Sequence, residues 1–148
     1  MTKTLLKGGA VVALAAAAVA IYQVRSTPET TTGATASSTS SSTTMVAVKL
    51  PSAHSELAQM GKQAFEATCA ACHGENAAGQ NGVAPPLVHK IYEPSHHADM
   101  AFFRAVDTGV RAHHWAFGNM PPLAGLTKGD VKAIVAYVRE LQRENGIF

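Results

Sequence analysis

The sequence predicts a small all-α domain, and three observations predict it. Apolar residues recur at three-to-four spacing in separate stretches, each bounded by capping or breaking residues. No run of alternating apolar and polar residues is long enough to make a sheet. Between the first and second helical stretches stands Phe65-Glu66-Ala67-Thr68-Cys69-Ala70-Ala71-Cys72-His73-Gly74, which holds both of the chain's cysteines.

The elements follow in order. Leu57, Met60, Gly61, Ala64, Phe65 and Thr68 share one helical face that runs into Cys69, with Ser52 after Pro51 as the N-cap. Gly74 to Pro86 contains Gly79, Gly82 and two prolines, which preclude a continuous helix. A second helix is expected from Ser95 to Val106, turning Phe102, Phe103 and Val106 inward and ending at Gly109. In the last, Thr127-Lys128-Gly129-Asp130 reads as a capping box. Val131, Ile134, Val135, Val138 and Leu141 then form its apolar stripe, and Asn145-Gly146 stops it.

The 148 residues leave room for one domain and its tails, expected as 1–24, 25–48 and 49–148. Met1 to Val24 has a short basic start, Lys3 and Lys7, and an apolar run from Gly8 to Tyr22. That is the layout of an export signal, and Ala18-Val19-Ala20 offers a cleavage site. The run of 15 residues, or 17 if carried to Val24, stands at the lower edge of the ~17–25 that span a bilayer. Retention as an apolar anchor helix and cleavage near Ala20 both remain open. The positive charges before the run place the remainder outside. Residues 25–48 are rich in Ser and Thr and read as a disordered linker. Such a long arm is easier to understand if its far end is held, which favours the anchor.

Charge excludes one class of function. Lys3, Lys7 and Arg25 against Glu29 account for the whole formal excess of +2, and the rest of the chain is balanced. No basic surface points to nucleic acid.

Cys-x-x-Cys-His carries the chemistry. It reads as a site of covalent haem attachment, with Cys69 and Cys72 forming thioethers to the two vinyl groups and His73 placed to ligate the iron. A thioredoxin-like pair would sit beside a strand–helix–strand pattern, and none is near. A structural zinc site needs four ligands and would have to borrow distant histidines. The iron's other axial position calls for a further donor. Met120 stands before Pro121 and Pro122, where the extended backbone forced by proline could present one thioether without a crowding helix.

With these residues in view, the chain resembles the bacterial class I cytochromes c, small helical proteins with one His/Met-ligated haem. The likeness spans about residues 54–145. Gly61 and Phe65 stand at the family's positions in the first helix, and Tyr137 at the aromatic position of the last, which packs on them. Ala84-Pro85-Pro86-Leu87 resembles a Gly-Pro-x-Leu segment, with alanine in place of the leading glycine. The resemblance implies that the Pro85 carbonyl accepts a hydrogen bond from His73 Nδ1 and fixes that ring. It also implies three to five short helices wrapped around one covalent haem c. The start of the chain looks like that of membrane-anchored members, with the haem domain in the periplasm at the bacterial inner membrane, or soluble there after cleavage.

The activity implied is one-electron transfer and not catalysis, by a monomer. The expected partners are a quinol–cytochrome c oxidoreductase as donor and a terminal oxidase or reductase as acceptor. The alternatives are a haem-based ligand-binding or sensing module, whose distal position opens, and a fixed haem subunit of a larger oxidoreductase. Trp115 and Phe117 read as core aromatics or as haem walls, with the indole N–H able to reach a propionate. His96-His97 and His113-His114 form two adjacent pairs. Neighbours on a helix do not share a face, so solvated side chains are expected. A transition-metal site joining the pairs, a pH-sensitive contact, and replacement of Met120 on the iron by His113 or His114 are the other readings.

Overall fold

The computed structural model describes residues 43–148, and the expectations for the apolar start and most of the linker fall outside them. The expected all-α class is observed. Among the described residues four helices carry the fold: α1 (Glu56–Thr68), α2 (Ala70–His73), α3 (Asp99–Thr108) and α4 (Lys128–Glu144). Short 3-10 turns lie at Glu75–Ala77 and Lys90–Tyr92. Among the described residues the only β pairings are isolated bridges, Thr44 with Gln80, Gln80 with Ala84, and Val110 with Met120. No helix among them is long and apolar enough to cross a membrane.

α1 and α4 cross in close contact, and Gly61 makes the approach possible. A Cβ at Gly61 would collide with the Ala133 carbonyl on α4. One turn away, Phe65 and Tyr137 are wholly buried with ring centroids 5.6 Å apart. Ala58, Ile134, Val138 and Leu141 complete this core, with Leu87 and Val88 from the connecting loop. Each large apolar side chain buried here contributes about 1.5–3 kcal/mol. A smaller cluster joins Val106 of α3 to Val131 and Val135 of α4, with Phe102 and Phe103 packed against it.

The ends of the helices explain their bounds. Thr127 and Asp130 form the reciprocal capping box that opens α4. The Asp130 carboxyl is held below its ordinary range by the Thr127 hydroxyl and amide. α1 starts three residues later than expected, because Ser55 and not Ser52 caps it, accepting from the Ala58 amide. Ser55 also donates to Glu140 at 2.7 Å, and His54 Nδ1 lies 2.8 Å from the same carboxylate. Burial raises the Glu140 pKa, but these partners outweigh it and leave the group more acidic than usual.

α3 starts at Asp99, not Ser95, for a reason that lies on α4. Arg139 and Gln142 are buried polar residues on its inward face. Arg139 donates to the carbonyls of Tyr92 and His97 and to Asp99 Oδ1, while Gln142 donates to those of Leu87 and Tyr92. The chain from 87 to 97 is thereby fixed as loop and turn. At the other boundary, Asn145 exchanges two hydrogen bonds with the Lys49 backbone, both 2.9 Å.

Gly61→Ala separates propensity from packing. Alanine favours a helix by about 1 kcal/mol over glycine, whereas overpacking costs about 1–3 kcal/mol and more against rigid backbone. The variant should be less stable by about 2 kcal/mol, read from the denaturant midpoint at unchanged slope.

Candidate functional site

The Cys-x-x-Cys-His residues are placed by the junction of two helices. Cys69 ends α1, its amide bonding to the Phe65 carbonyl at 2.8 Å, and its own carbonyl starts α2 by accepting from the Cys72 and His73 amides. Cys69 and Cys72 are both free thiols, one half-buried and the other exposed. Burial pushes the Cys69 thiol up, with the Thr68 hydroxyl opposing. Gly74, at φ 75°, then turns the chain out of the helix.

The loop after α2 folds back and fixes His73. Gln80 Nε2 donates to the Ala71 and Ala70 carbonyls of the first two residues of α2. The Gly79 amide bonds to the His73 carbonyl at 2.7 Å, and the Leu87 amide to the Ala77 carbonyl at 2.9 Å. Asn76 and Ala77 adopt left-handed backbone, φ 54° and 59°, and Tyr137 braces the first by donating to Asn76 Oδ1 at 3.1 Å. Burial beside the Asn76 turn, with Glu66 and Glu75 near, pushes the Tyr137 phenol up to about 12. The fold-back brings the Pro85 carbonyl to 2.8 Å from His73 Nδ1. A carbonyl can only accept, so the proton is on Nδ1 and the lone pair on Nε2. Burial lowers the His73 pKa, with the Pro85 bond opposing. The ring is a neutral, oriented donor at neutral pH.

Cys69, Cys72, His73 and Pro85 thus belong to one cluster, and Met120 is supplied by a separate segment. Met120 and Val110 exchange reciprocal backbone hydrogen bonds of 2.9 Å, and the Leu123 amide bonds to the Val106 carbonyl at 2.9 Å. Gly109 ends α3 at φ 74°, where a Cβ would meet the Met120 carbonyl at 2.5 Å. The segment bearing Met120 is therefore laid along the end of α3. Trp115 stacks on Phe117 with centroids 5.8 Å apart and meets His89 edge-on at 5.3 Å.

These residues fit a covalently bound haem. The donor set holds two thiols a helical turn apart and an imidazole with an unengaged Nε2. Trp115 Nε1 adds a second sign, since it is buried with no hydrogen-bond partner among the described residues. It lies close enough to the Tyr92 hydroxyl to hold down that phenol's burial-raised pKa, yet makes no bond of normal geometry. A buried donor left in this way awaits an acceptor, and the propionate of a bound haem would be one.

Sequence reasoning missed Arg139 and Gln142, which hold the loop behind the site. Their signal was a polar pair, three residues apart on α4, set against an apolar stripe.

Gly79 is the position most exposed to test. Its φ of 74° is left-handed, and a Cβ there would stand 2.5 Å from the Pro86 nitrogen. Gly79→Ala should cost at least the about 1–2 kcal/mol of that conformation. It should also shift the Pro85 carbonyl, so that the His73 Nδ1 proton of the reduced holoprotein exchanges faster by NMR.

No curated protein matches the chain. The family model for cytochrome c matches residues 58–142, more than half of the 148-residue sequence. That match spans α2, α3, most of α1 and nearly all of α4, so the chain belongs to the cytochrome c family and carries the family's haem-based electron transfer.

Proposed function

We propose that this protein is a one-electron carrier holding a single haem, attached through Cys69 and Cys72 and ligated by His73 and Met120. The observation that carries this reading is the His73–Pro85 bond of 2.8 Å, which leaves Nε2 as the ring's only free donor atom. When bound, a c-type haem supplies a reversible ferric–ferrous couple whose potential rises with thioether ligation.

The chain's own residues do the rest. The two thiols, on either end of one helical turn, fix the prosthetic group's orientation. Pro85 fixes the rotation of the His73 ring and raises its basicity. The Val110 bridge anchors the Met120 backbone, and the Gly109 turn lets it pass. With His73 and Met120 both bound to the iron, no position would be left for a substrate, and the group would act as a carrier and not as an enzyme or sensor. Leu87 and Val88, buried directly after Pro86, give the Pro85 support an apolar footing.

In this reading the haem domain works on the periplasmic side of a bacterial inner membrane. The apolar start of the chain holds it there, and the Ser/Thr-rich stretch from residue 25 up to Thr43, where the chain pairs with the domain, serves as a tether. It accepts electrons from a quinol–cytochrome c oxidoreductase and passes them to a terminal oxidase or reductase, docking briefly over a small interface.

The oxidised holoprotein should show the red-edge charge-transfer band of a methionine–ferric bond and bind cyanide slowly. Met120→Ala should abolish the band and open the iron to rapid cyanide binding. A wild-type spectrum without the band would overturn the methionine assignment. The mass of the protein from membranes should equal the full chain plus one haem, and loss of about the first 20 residues would show cleavage.

A further inference from the structure

Four imidazoles outside the haem site meet where the turn before α3 faces the loop before Met120. His96 and His97 lie in a turn whose amides both bond to the Glu93 carbonyl, at 3.0 and 2.8 Å. His113 and His114 lie in the loop closed by the Val110–Met120 bridge. Neither pair is helical, so the rule that neighbours on a helix diverge does not apply to them. Ring centroids are 4.7 Å apart for His96 and His97, and 5.3 Å from each of these to His114. One ring nitrogen from each of the three lies within 4.8 Å of the others.

The free lone pairs are defined by what the rings already bind. His97 Nδ1 donates to the Ile91 carbonyl at 2.7 Å, which leaves Nε2 as its donor atom. A backbone carbonyl on the far nitrogen is the usual support of a metal-bound histidine. His96 Nε2 and His114 Nε2 are 3.4 Å apart. Two nitrogens about 2.0–2.1 Å from a tetrahedral ion are separated by about 3.3–3.4 Å. His113 donates Nδ1 to the Arg111 carbonyl and stacks on His97 at 5.9 Å, as a wall of the site.

Arg139 stands behind His97, where its guanidinium donates to the His97 carbonyl and is engaged by Asp99 at 2.8 Å.

We propose that His96, His97 and His114 form a three-imidazole site for one borderline divalent cation, Zn2+ or Cu2+, with a fourth position open to water. Neutral imidazole suits both ions. Binding staples the 93–97 turn to the loop that leads into Met120. The site stands independently of how the haem iron is ligated.

The test is calorimetric titration of chelator-treated, oxidised, full-length holoprotein with Zn2+ near neutral pH. One ion per chain should bind with a dissociation constant of about 10 μM or tighter. His96→Ala and His114→Ala should each weaken binding at least about tenfold, while His113→Ala changes it little and the haem spectrum is unaltered in all three. Cu2+ should show nitrogen hyperfine structure in its EPR spectrum, lost in the His96→Ala, His114→Ala double variant. No stoichiometric uptake by the wild type, or equal affinity in the His96 and His114 variants, overturns the proposal.

Discussion

The approach of α1 to α4 at Gly61 is the constraint on which the rest of the structure depends. Two helices can lie this close only where one of them lacks a side chain, and the Ala133 carbonyl occupies the space. The closeness brings Phe65 and Tyr137 into one buried pair. Tyr137 in turn reaches Asn76, and so steadies the left-handed turn that sends the chain back toward His73. A contact with no chemistry of its own therefore reaches the orientation of the imidazole. The donor atoms inherit their positions from non-local packing.

A second chain of dependence runs from the other side of α4. Arg139 and Gln142 face inward among apolar residues, and their donors are spent on backbone carbonyls of a loop that has no sheet or helix to satisfy them. Carbonyls turned toward the core without partners are costly, so these side chains let the 87–97 segment lie on α4 as loop and turn. The guanidinium also lies 5.2 Å from the Phe102 ring, which ties α3 to the same residue. One helix thus serves as apolar floor for α1 and as polar scaffold for the loop.

Much of this was legible in the sequence, and the limit is physical. The Cys-x-x-Cys-His group, the capping box at Thr127 and the stripe on α4 are local patterns, readable because their partners lie within a turn or two. Gly61, Phe65 and Tyr137 were legible through family resemblance, since nothing local says that positions more than seventy residues apart will touch. Ser55 displaced Ser52 as a cap because Glu140, 85 residues along the chain, accepts its hydroxyl. The late start of α3 and the gathering of histidines have one origin. Arg139 takes the His97 carbonyl out of any helical ladder, and a contact 42 residues distant leaves no periodicity to read. Met120 could be singled out by its prolines, but the bridge that holds its backbone could not.

The double hydrogen bond between Asn145 and Lys49 has a consequence for the two segments it joins. The side chain closing α4 grips the backbone that leads to α1, so the last helix and the approach to the first are latched at one edge. Fraying of the final turn of α4 and loosening of the stretch before α1 are thereby one event and not two.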